Sequence, residues 1–388
     1  MIRLFSFLDK TTRHFRPFSQ TVGLLQRSSP FALSPAGKMP GRLGWSLLCC
    51  LFLLAIACRT KKEVPRPAAA GLPGDAVLLD SATAATVIVV DTVERFFERV
   101  GPADVSLQLK DPLTKSRDRA ALIADYKTFL QQDVADFTPD EAERVRGAMR
   151  RAYAQIAALN PNLYPSGIQL LKTKGKHYGD GVYYTRQDAI IIPANELGAG
   201  NEAALQSVLI HEIFHVWSRN NRAQRDSLYA LIGFEPLGVP VERMTLPAPL
   251  RDRMLLNPDG INYAYTIELQ RDGKPFRAVP MLIAEPGRYT TDKKGFFRYL
   301  QFQLFELEER RGGLVLNALM TDTEGRSTLD MGMHPEFSAQ IGDNTGYIIH
   351  PEEIIAENFR LLVEGDAGSG SERGKALLAD VRRLLQGF

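Results

Sequence analysis

Apolar and polar positions along this chain follow helical spacing in several long segments. Residues 80–100 and 116–137 both show this spacing, and each segment predicts a helix. Residues 138–141 place a threonine N-cap, a proline at the first helical position and a glutamate three residues after the cap. This start signal predicts a third helix that ends near Leu159. Later helices are predicted at residues 225–233, 351–363 and 372–385.

Shorter apolar runs bounded by turn residues predict strands in the remaining parts of the chain. The predicted strands are residues 168–173, 181–185, 189–193, 263–269, 277–284, 299–308 and 314–319. The second and third of these should form a hairpin that turns at residues 186–188. No repeat is evident, and no linker-like stretch occurs from residue 77 until residues 365–371. We therefore expect one α+β domain over residues 77–388.

Residues 207–217 differ from every other helical segment, because they are apolar at nearly all positions. A helix that is hydrophobic almost all round belongs in a protein core. Its polar exceptions are His211, Glu212 and His215. Residues four apart lie one turn above each other on a helix, so the two imidazoles should point the same way. Burying these groups would cost several kcal/mol unless they are paired or bind a metal.

This spacing is the H-E-x-x-H arrangement of zinc hydrolases. His211 and His215 would be neutral imidazole ligands of Zn²⁺, and Glu212 would act as general base on a water bound to the metal. The alternative is a chance match in which both histidines are ordinary core residues with satisfied hydrogen bonds.

Composition limits the rest of the site. All three cysteines, Cys49, Cys50 and Cys58, precede residue 60, so the body of the chain has no cysteine ligand or nucleophile. Any metal must therefore be held by histidine and carboxylate. The net charge is +2 and there is no block of like charge, which argues against a nucleic-acid partner.

The N-terminal region contains an apolar run at residues 47–57, preceded by Arg42 and too short to span a bilayer. Its end, Leu54-Ala55-Ile56-Ala57-Cys58, resembles a bacterial lipobox. The resemblance implies a lipoprotein signal peptide at residues 39–57, lipidation of Cys58 and a location in the bacterial cell envelope. Residues 1–38 would lie upstream of the true start, and residues 58–76 would form a flexible tether.

A catalytic zinc ion with two histidine ligands needs a third protein ligand. The glycine and histidine of the long zincin form do not follow His215, so a carboxylate is expected. Glu353 and Glu357 lie one turn apart on a helix that begins at Pro351. The other candidates for the third ligand are Glu235, Glu352 and His350.

The segment Glu353-Ile354-Ile355-Ala356-Glu357-Asn358-Phe359 resembles the gluzincin signature, and among gluzincins it is distantly similar to the anthrax lethal factor type. The resemblance implies that Glu353 is the third ligand and that Glu357 orients the imidazole of His211. It also implies that Tyr347 stabilises the oxyanion, and that a strand beside the cleft binds extended substrate. Because Glu353 is unusually far from His215, a β-rich insertion should separate the two helices of a zincin-like metallopeptidase fold.

These features together predict a lipid-anchored zinc metallopeptidase that hydrolyses a peptide or protein substrate. The alternative is an envelope lipoprotein that binds a partner without catalysis and keeps a structural or vestigial metal site. The intact Glu212 favours the enzyme, because a structural site needs no general base.

Overall fold

The computed structural model describes residues 71–261, 263–293, 295–310 and 316–388. The predicted upstream segment, the signal peptide and Cys58 lie outside these residues. Residues 71–76 differ from the tether expected there, because Pro73–Asp75 forms a 3₁₀ turn and Ala76 is buried. The reason is that the chain directly after them, Val77–Leu78, already pairs with a central strand.

The helices of the described residues lie mainly before and after the central strands. They are α1 (Ser81–Val87), α2 (Phe96–Arg99), α3 (Pro102–Leu109), α4 (Arg119–Asp133), α5 (Pro139–Leu159), α6 (Glu202–Asn220), α7 (Arg222–Ala230), α8 (Ala248–Arg251), α9 (Pro335–Ile341), α10 (Pro351–Glu364) and α11 (Glu372–Gly387). The fold is mixed α and β, consistent with the expected α+β class.

The described strands form two sheets. They are β1 (Val77–Leu78), β2 (Val134–Ala135), β3 (Gln169–Thr173), β4 (Tyr184–Arg186), β5 (Ala189–Pro193), β6 (Phe234–Pro236), β7 (Met244–Thr245), β8 (Met254–Leu255), β9 (Tyr265–Arg271), β10 (Lys274–Ala284), β11 (Leu300–Arg310) and β12 (Leu316–Leu319). The first sheet has the order β1-β3-β5-β4, with β2 paired to β3; β1, β3 and β5 run parallel and β4 is antiparallel. The second sheet has the order β6-β9-β10-β11-β12-β7, with β8 paired to β10.

Several local predictions are confirmed. The helix that follows Thr138 has the expected capping box, in which Thr138 and Glu141 bond each other's backbone N–H groups. The hairpin of β4 and β5 pairs Arg186 with Ala189, close to the expected turn. Strands β9 and β10 also form the expected hairpin. β9 lies two residues further along the chain than the pattern indicated, and β10 begins three residues earlier.

The single helix expected over residues 80–100 is wrong, because α1 ends at Val87 and α2 begins only at Phe96. The carboxylate of Asp91 accepts hydrogen bonds from the backbone N–H groups of Val93, Glu94 and Phe96. Such side-chain bonds compete with helical bonds and favour a turn. Helices α3 and α9 were not expected at all.

The first sheet separates two hydrophobic clusters. Leu170, Ile190 and Ile192 belong to one cluster, which also contains the apolar faces of α5, α6, α10 and α11. The alternating residues Leu171 and Ile191 belong to the other, together with residues of α1 to α4 and one face of the second sheet. This alternation is the strand period of two, and it covers both faces of the sheet.

Two further facts place the site within this architecture. All strands of the second sheet lie in sequence between α6 and α10. Helices α6 and α10 nevertheless pack together, with the rings of Phe214 and Phe359 centred 5.2 Å apart. No helix in the described part of the chain has the length and apolar character needed to cross a membrane.

Candidate metal centre

Helix α6 carries His211, Glu212 and His215 in its buried middle section. The imidazoles of His211 and His215 are centred 4.6 Å apart, as expected for neighbours one turn apart on a helix. The relative exposure is 6% for His211, 4% for Glu212 and 0% for His215. A helix buried this completely can keep such groups only if each finds a partner or a ligand.

Helix α10 brings Glu353 to both histidines. Its Oε2 atom lies 3.1 Å from Nε2 of His211 and 3.5 Å from Nε2 of His215. One potential ligand atom from each of the three residues lies within 4.8 Å of the others. Ligand atoms around a tetrahedral zinc ion, at ~2.1 Å from the metal, are separated by about 3.4 Å. The spacing of the three side chains therefore fits such an ion.

The other nitrogen of each imidazole faces a second carboxylate. Nδ1 of His211 lies 2.9 Å from Oε1 of Glu357, and Nδ1 of His215 lies 2.9 Å from Oε1 of Glu352. A carboxylate at Nδ1 holds the proton there and leaves Nε2 with a free lone pair. Both Nε2 atoms face Glu353, so the two histidines present their metal-binding nitrogens to the same place.

Further polar groups hold these carboxylates. Glu352 accepts hydrogen bonds from the hydroxyls of Ser218 and Tyr229. Glu357 pairs with Arg360, whose Nη2 lies 3.0 Å from Oε2. The amide of Asn257 donates to Oε1 of Glu353 at 2.7 Å. This support restricts the rotamers of the three glutamates, which is what a preorganised metal site requires.

The electrostatic field of the cluster favours a cation. Burial by itself lowers the pKa of His211, but its contacts with Glu353 and Glu357 outweigh this and raise the pKa to about 9. Burial raises the pKa of Glu353, yet the charge of His215 and the hydrogen bond to His211 hold it well below its usual range. The carboxylates thus stabilise positive charge between the imidazoles, which a divalent cation would supply.

Glu212 is placed differently from the other carboxylates. Among the described residues, its buried Oε2 atom has no hydrogen-bond partner, and the same is true of Nε2 of His215. Burial, and then the charge of Asp259, raise the pKa of Glu212 to about 8. A buried carboxylate with a raised pKa can accept and release a proton near neutral pH.

Two loops cover the cluster. The first carries Tyr347, whose ring stacks near His211 with centroids 6.3 Å apart. The second contains Asn257, Asp259 and Gly260. A Cβ atom at Gly260 would lie only 2.3 Å from Nδ1 of His350, so this loop approaches α10 as closely as it does only because residue 260 is glycine.

The alternative third ligands lie elsewhere. Glu235 is exposed on β6. Glu352 contacts Nδ1 of His215 rather than the Nε2 side. His350 caps α10, and its Nδ1 accepts the backbone N–H of Glu352 at 3.0 Å. Of the four candidates weighed from the sequence, Glu353 alone lies in the cluster with Nε2 of both histidines.

No pattern in the sequence indicated that Asp259 belongs to the site. One atom each of Glu212, His215 and Asp259 lie within 4.8 Å of one another. Asp259 follows Asn257 and Pro258, and all three are residue types that are common in loops and turns. An aspartate in such a segment is therefore not distinguished from an ordinary turn residue. Its neighbour Thr185 lies on the edge strand β4 and donates its backbone N–H to Asp259 at 2.6 Å.

Comparison of this chain with protein-family models, with curated proteins and with solved structures finds no match. What the cluster does is therefore inferred from its own geometry.

Proposed function

We propose that this chain is a zinc-dependent metallopeptidase with a zincin-like catalytic domain. The observation that carries the proposal is that Nε2 of His211 and Nε2 of His215 lie 3.1 and 3.5 Å from the same carboxylate oxygen of Glu353. The carboxylates at both Nδ1 atoms support the proposal, because they leave the two Nε2 atoms as lone-pair donors.

In this proposal the three side chains hold Zn²⁺, and the rest of the cluster performs the proton chemistry. Zinc would supply a Lewis acid that lowers the pKa of a bound water toward ~7. Glu212 takes the proton of the attacking water and passes it to the leaving amine. Tyr347 is suited to stabilise charge on the carbonyl oxygen, since its ring lies beside His211.

A second candidate is favoured by the burial of the site. His211, Glu212 and His215 are each exposed by 6% or less, and a peptide could not reach them without movement of a covering loop. A closed site of this kind also suits a non-catalytic envelope protein with a structural metal. Glu212 favours the enzyme, because a structural site gains nothing from a buried carboxylate whose Oε2 atom has no hydrogen-bond partner among the described residues.

The experiment measures metal content and peptide hydrolysis of the purified full chain and of Glu212→Gln. We expect about one zinc per chain in both proteins, and a loss of hydrolysis by about 10³-fold in the variant. Glu235→Gln, on an exposed strand, is the matched control and should keep both properties. A Glu212→Gln protein as active as the wild type would refute the assigned base. Zinc without hydrolysis in the wild type would instead favour the structural site.

We further propose that the chain is a lipoprotein of a bacterial envelope, anchored through Cys58. The support is the apolar run at residues 47–57, which ends in a lipobox-like segment. Cys58→Ser should move the protein from the membrane fraction to the soluble fraction of expressing cells. An unchanged membrane fraction would contradict lipidation at this residue.

A further inference from the structure

Asp259 is a carboxylate near Glu212 that the metal centre described above does not use. Its side chain is buried, and a potential ligand atom of Asp259 lies within 4.8 Å of one from Glu212 and one from His215. Asp259 is not part of the group formed by His211, His215 and Glu353. Asp259 therefore lies on the Glu212 side of His215.

A dedicated chain of hydrogen bonds holds this carboxylate. Oδ1 of Asp259 accepts both the backbone N–H and the hydroxyl of Thr185, each at 2.6 Å. The Thr185 hydroxyl in turn accepts from Nη2 of Arg219 at 2.8 Å. Arg219 lies on α6, eight residues after His211, and its Nε donates to Glu94 at 2.7 Å. Thr185, Arg219 and Glu94 are all buried.

Holding an acid in this way has a cost that a merely structural turn would avoid. Burying a second carboxylate beside Glu212 places two acceptors of the same charge together. A single water molecule reconciles them, because it has two O–H bonds to donate. Two oxygens that accept from one water at ~2.8 Å are about 4.5 Å apart. A ligand atom of Asp259 lies within 4.8 Å of one from Glu212, which leaves the two carboxylates close enough to share one water.

We propose that Asp259 is the second acceptor for the attacking water and holds it in line for attack, an inference that rests on the proposed peptidase function. Glu212 takes one proton as the water oxygen forms its bond to the carbonyl carbon and the carbonyl π electrons move to oxygen. Asp259 accepts a hydrogen bond from the second O–H and takes no proton. The proton on Glu212 passes to the amine nitrogen when the carbon–nitrogen bond breaks.

The test compares the zinc-loaded full chain with Asp259→Asn in three measurements. Zinc affinity, measured by competition with a chelator, should stay within about threefold, because Asp259 is not a ligand in this proposal. The value of kcat should fall by about 100-fold with little change in KM, because the water loses its orientation. Asp252→Asn, whose carboxylate pairs with Lys115 at 2.7 Å, is the matched control.

The third measurement does not depend on turnover. Acetohydroxamic acid would bind zinc as its anion, through two oxygens, after giving its O–H proton to a carboxylate beside the metal, and it would present its N–H to a second acceptor. Its Kd should therefore rise about tenfold in Asp259→Asn. Thr185→Val should also weaken the binding of acetohydroxamic acid. Thr185→Ser should bind it about as tightly as the wild type, because serine keeps the hydroxyl. These two variants also decide the question if Asp259→Asn does not fold.

Unchanged kcat and unchanged acetohydroxamate affinity in Asp259→Asn would overturn the proposal. A loss of zinc affinity by more than about 100-fold would overturn it too, because Asp259 would then be a ligand. If the wild type binds zinc and acetohydroxamic acid but hydrolyses no peptide, the peptidase function fails, while the acetohydroxamate comparison still decides the role of Asp259. A wild type that binds no zinc would refute both.

Discussion

Two buried polar clusters of the described residues, one on each side of the first sheet, differ in how their charged groups are stabilised. The His211 cluster consists of His211, Glu212, His215, Glu352, Glu353 and Glu357. The Arg186 cluster consists of Asp104, Tyr126, Asp133, His177, Tyr184 and Arg186. Each side chain in both clusters is at least nine-tenths buried.

The histidines show the difference most clearly. In the Arg186 cluster, Nδ1 of His177 lies 2.5 Å from Oδ2 of Asp133, and Nε2 lies 2.9 Å from the hydroxyl of Tyr184. Each ring nitrogen of His177 therefore has its own hydrogen-bond partner, Asp133 for Nδ1 and Tyr184 for Nε2. In the His211 cluster, Nε2 of His211 and Nε2 of His215 both face one oxygen of Glu353.

Unsatisfied atoms separate the two clusters in the same way. The guanidinium of Arg186 has no hydrogen-bond partner within the described ranges, but its carbon lies 3.8 Å from the centre of the Phe96 ring. A cation–π contact therefore replaces the missing hydrogen bonds. In the His211 cluster, the unsatisfied atoms are Nδ1 of His211, Oε2 of Glu212 and Nε2 of His215. Glu212 and His215 belong to one group of potential ligands, and His211 and His215 belong to another. Unsatisfied atoms of several residues that converge indicate a ligand site. The unsatisfied nitrogens of Arg186 belong to one side chain, which stacks on an aromatic ring and lies 3.8 Å from the carboxylate of Asp91, as in a packed core.

The largest expected effect tests this distinction between the histidines. His215→Ala removes a proposed ligand, so zinc affinity should fall by about 1,000-fold or more. His177→Ala should leave zinc affinity within about threefold, while the free energy of unfolding falls by about 2–4 kcal/mol because Asp133 and Tyr184 lose a partner. Chelator competition and urea unfolding measure the two quantities. Equal losses of zinc affinity in both variants would remove the distinction.

A smaller effect concerns the titration of the Arg186 cluster. Burial, opposed by hydrogen bonds from Leu256 and Gln108, raises the pKa of Asp104 to about 6 from an ordinary 3.8. The folded protein therefore binds this proton more tightly than the unfolded chain. Stability should be greatest below the ordinary pKa and fall as the pH rises to about 6, by about 3 kcal/mol for this residue.

Asp104→Asn cannot titrate at this position and provides the comparison. Relative to the wild type, its free energy of unfolding should rise by about 3 kcal/mol between pH 4 and pH 7. Urea unfolding at both pH values measures the difference, with Asp252→Asn as a carboxylate control nearer the surface. Parallel pH curves for wild type and Asp104→Asn would show that Asp104 is already ionised in the folded protein.

The smallest effect sharpens the roles within the His211 cluster. Glu352→Gln and Glu357→Gln leave the Nε2 atoms and Glu353 in place but weaken the contacts at Nδ1. Each should reduce zinc affinity by about 10- to 100-fold, the usual range for groups that orient a ligand. A loss as large as that of His215→Ala would instead make the altered glutamate a direct ligand.

Local patterns predicted the elements that carry the site better than the elements around it. The start of α5, the hairpin of β4 and β5, and helices α6 and α10 lie within a few residues of their expected bounds. These segments have strong caps or long apolar periodicity, which are local properties. The break between α1 and α2 was missed because it depends on Asp91, whose side chain bonds the backbone instead of extending the helix.

The sequence by itself determined that His211 and His215 share one face of a buried helix, because a period of 3.6 residues requires it. It also limited any metal ligands to histidine and carboxylate, since no cysteine follows residue 58. Only the tertiary structure decided which acid meets Nε2 of both imidazoles and which acids hold Nδ1. Glu352 and Glu353 are adjacent in sequence yet project to different sides of α10, and the packing of α10 against α6 brings each to a different atom of His215. The position of Asp259 was also decided only by the tertiary structure, because this loop residue is held by hydrogen bonds from Thr185 on β4.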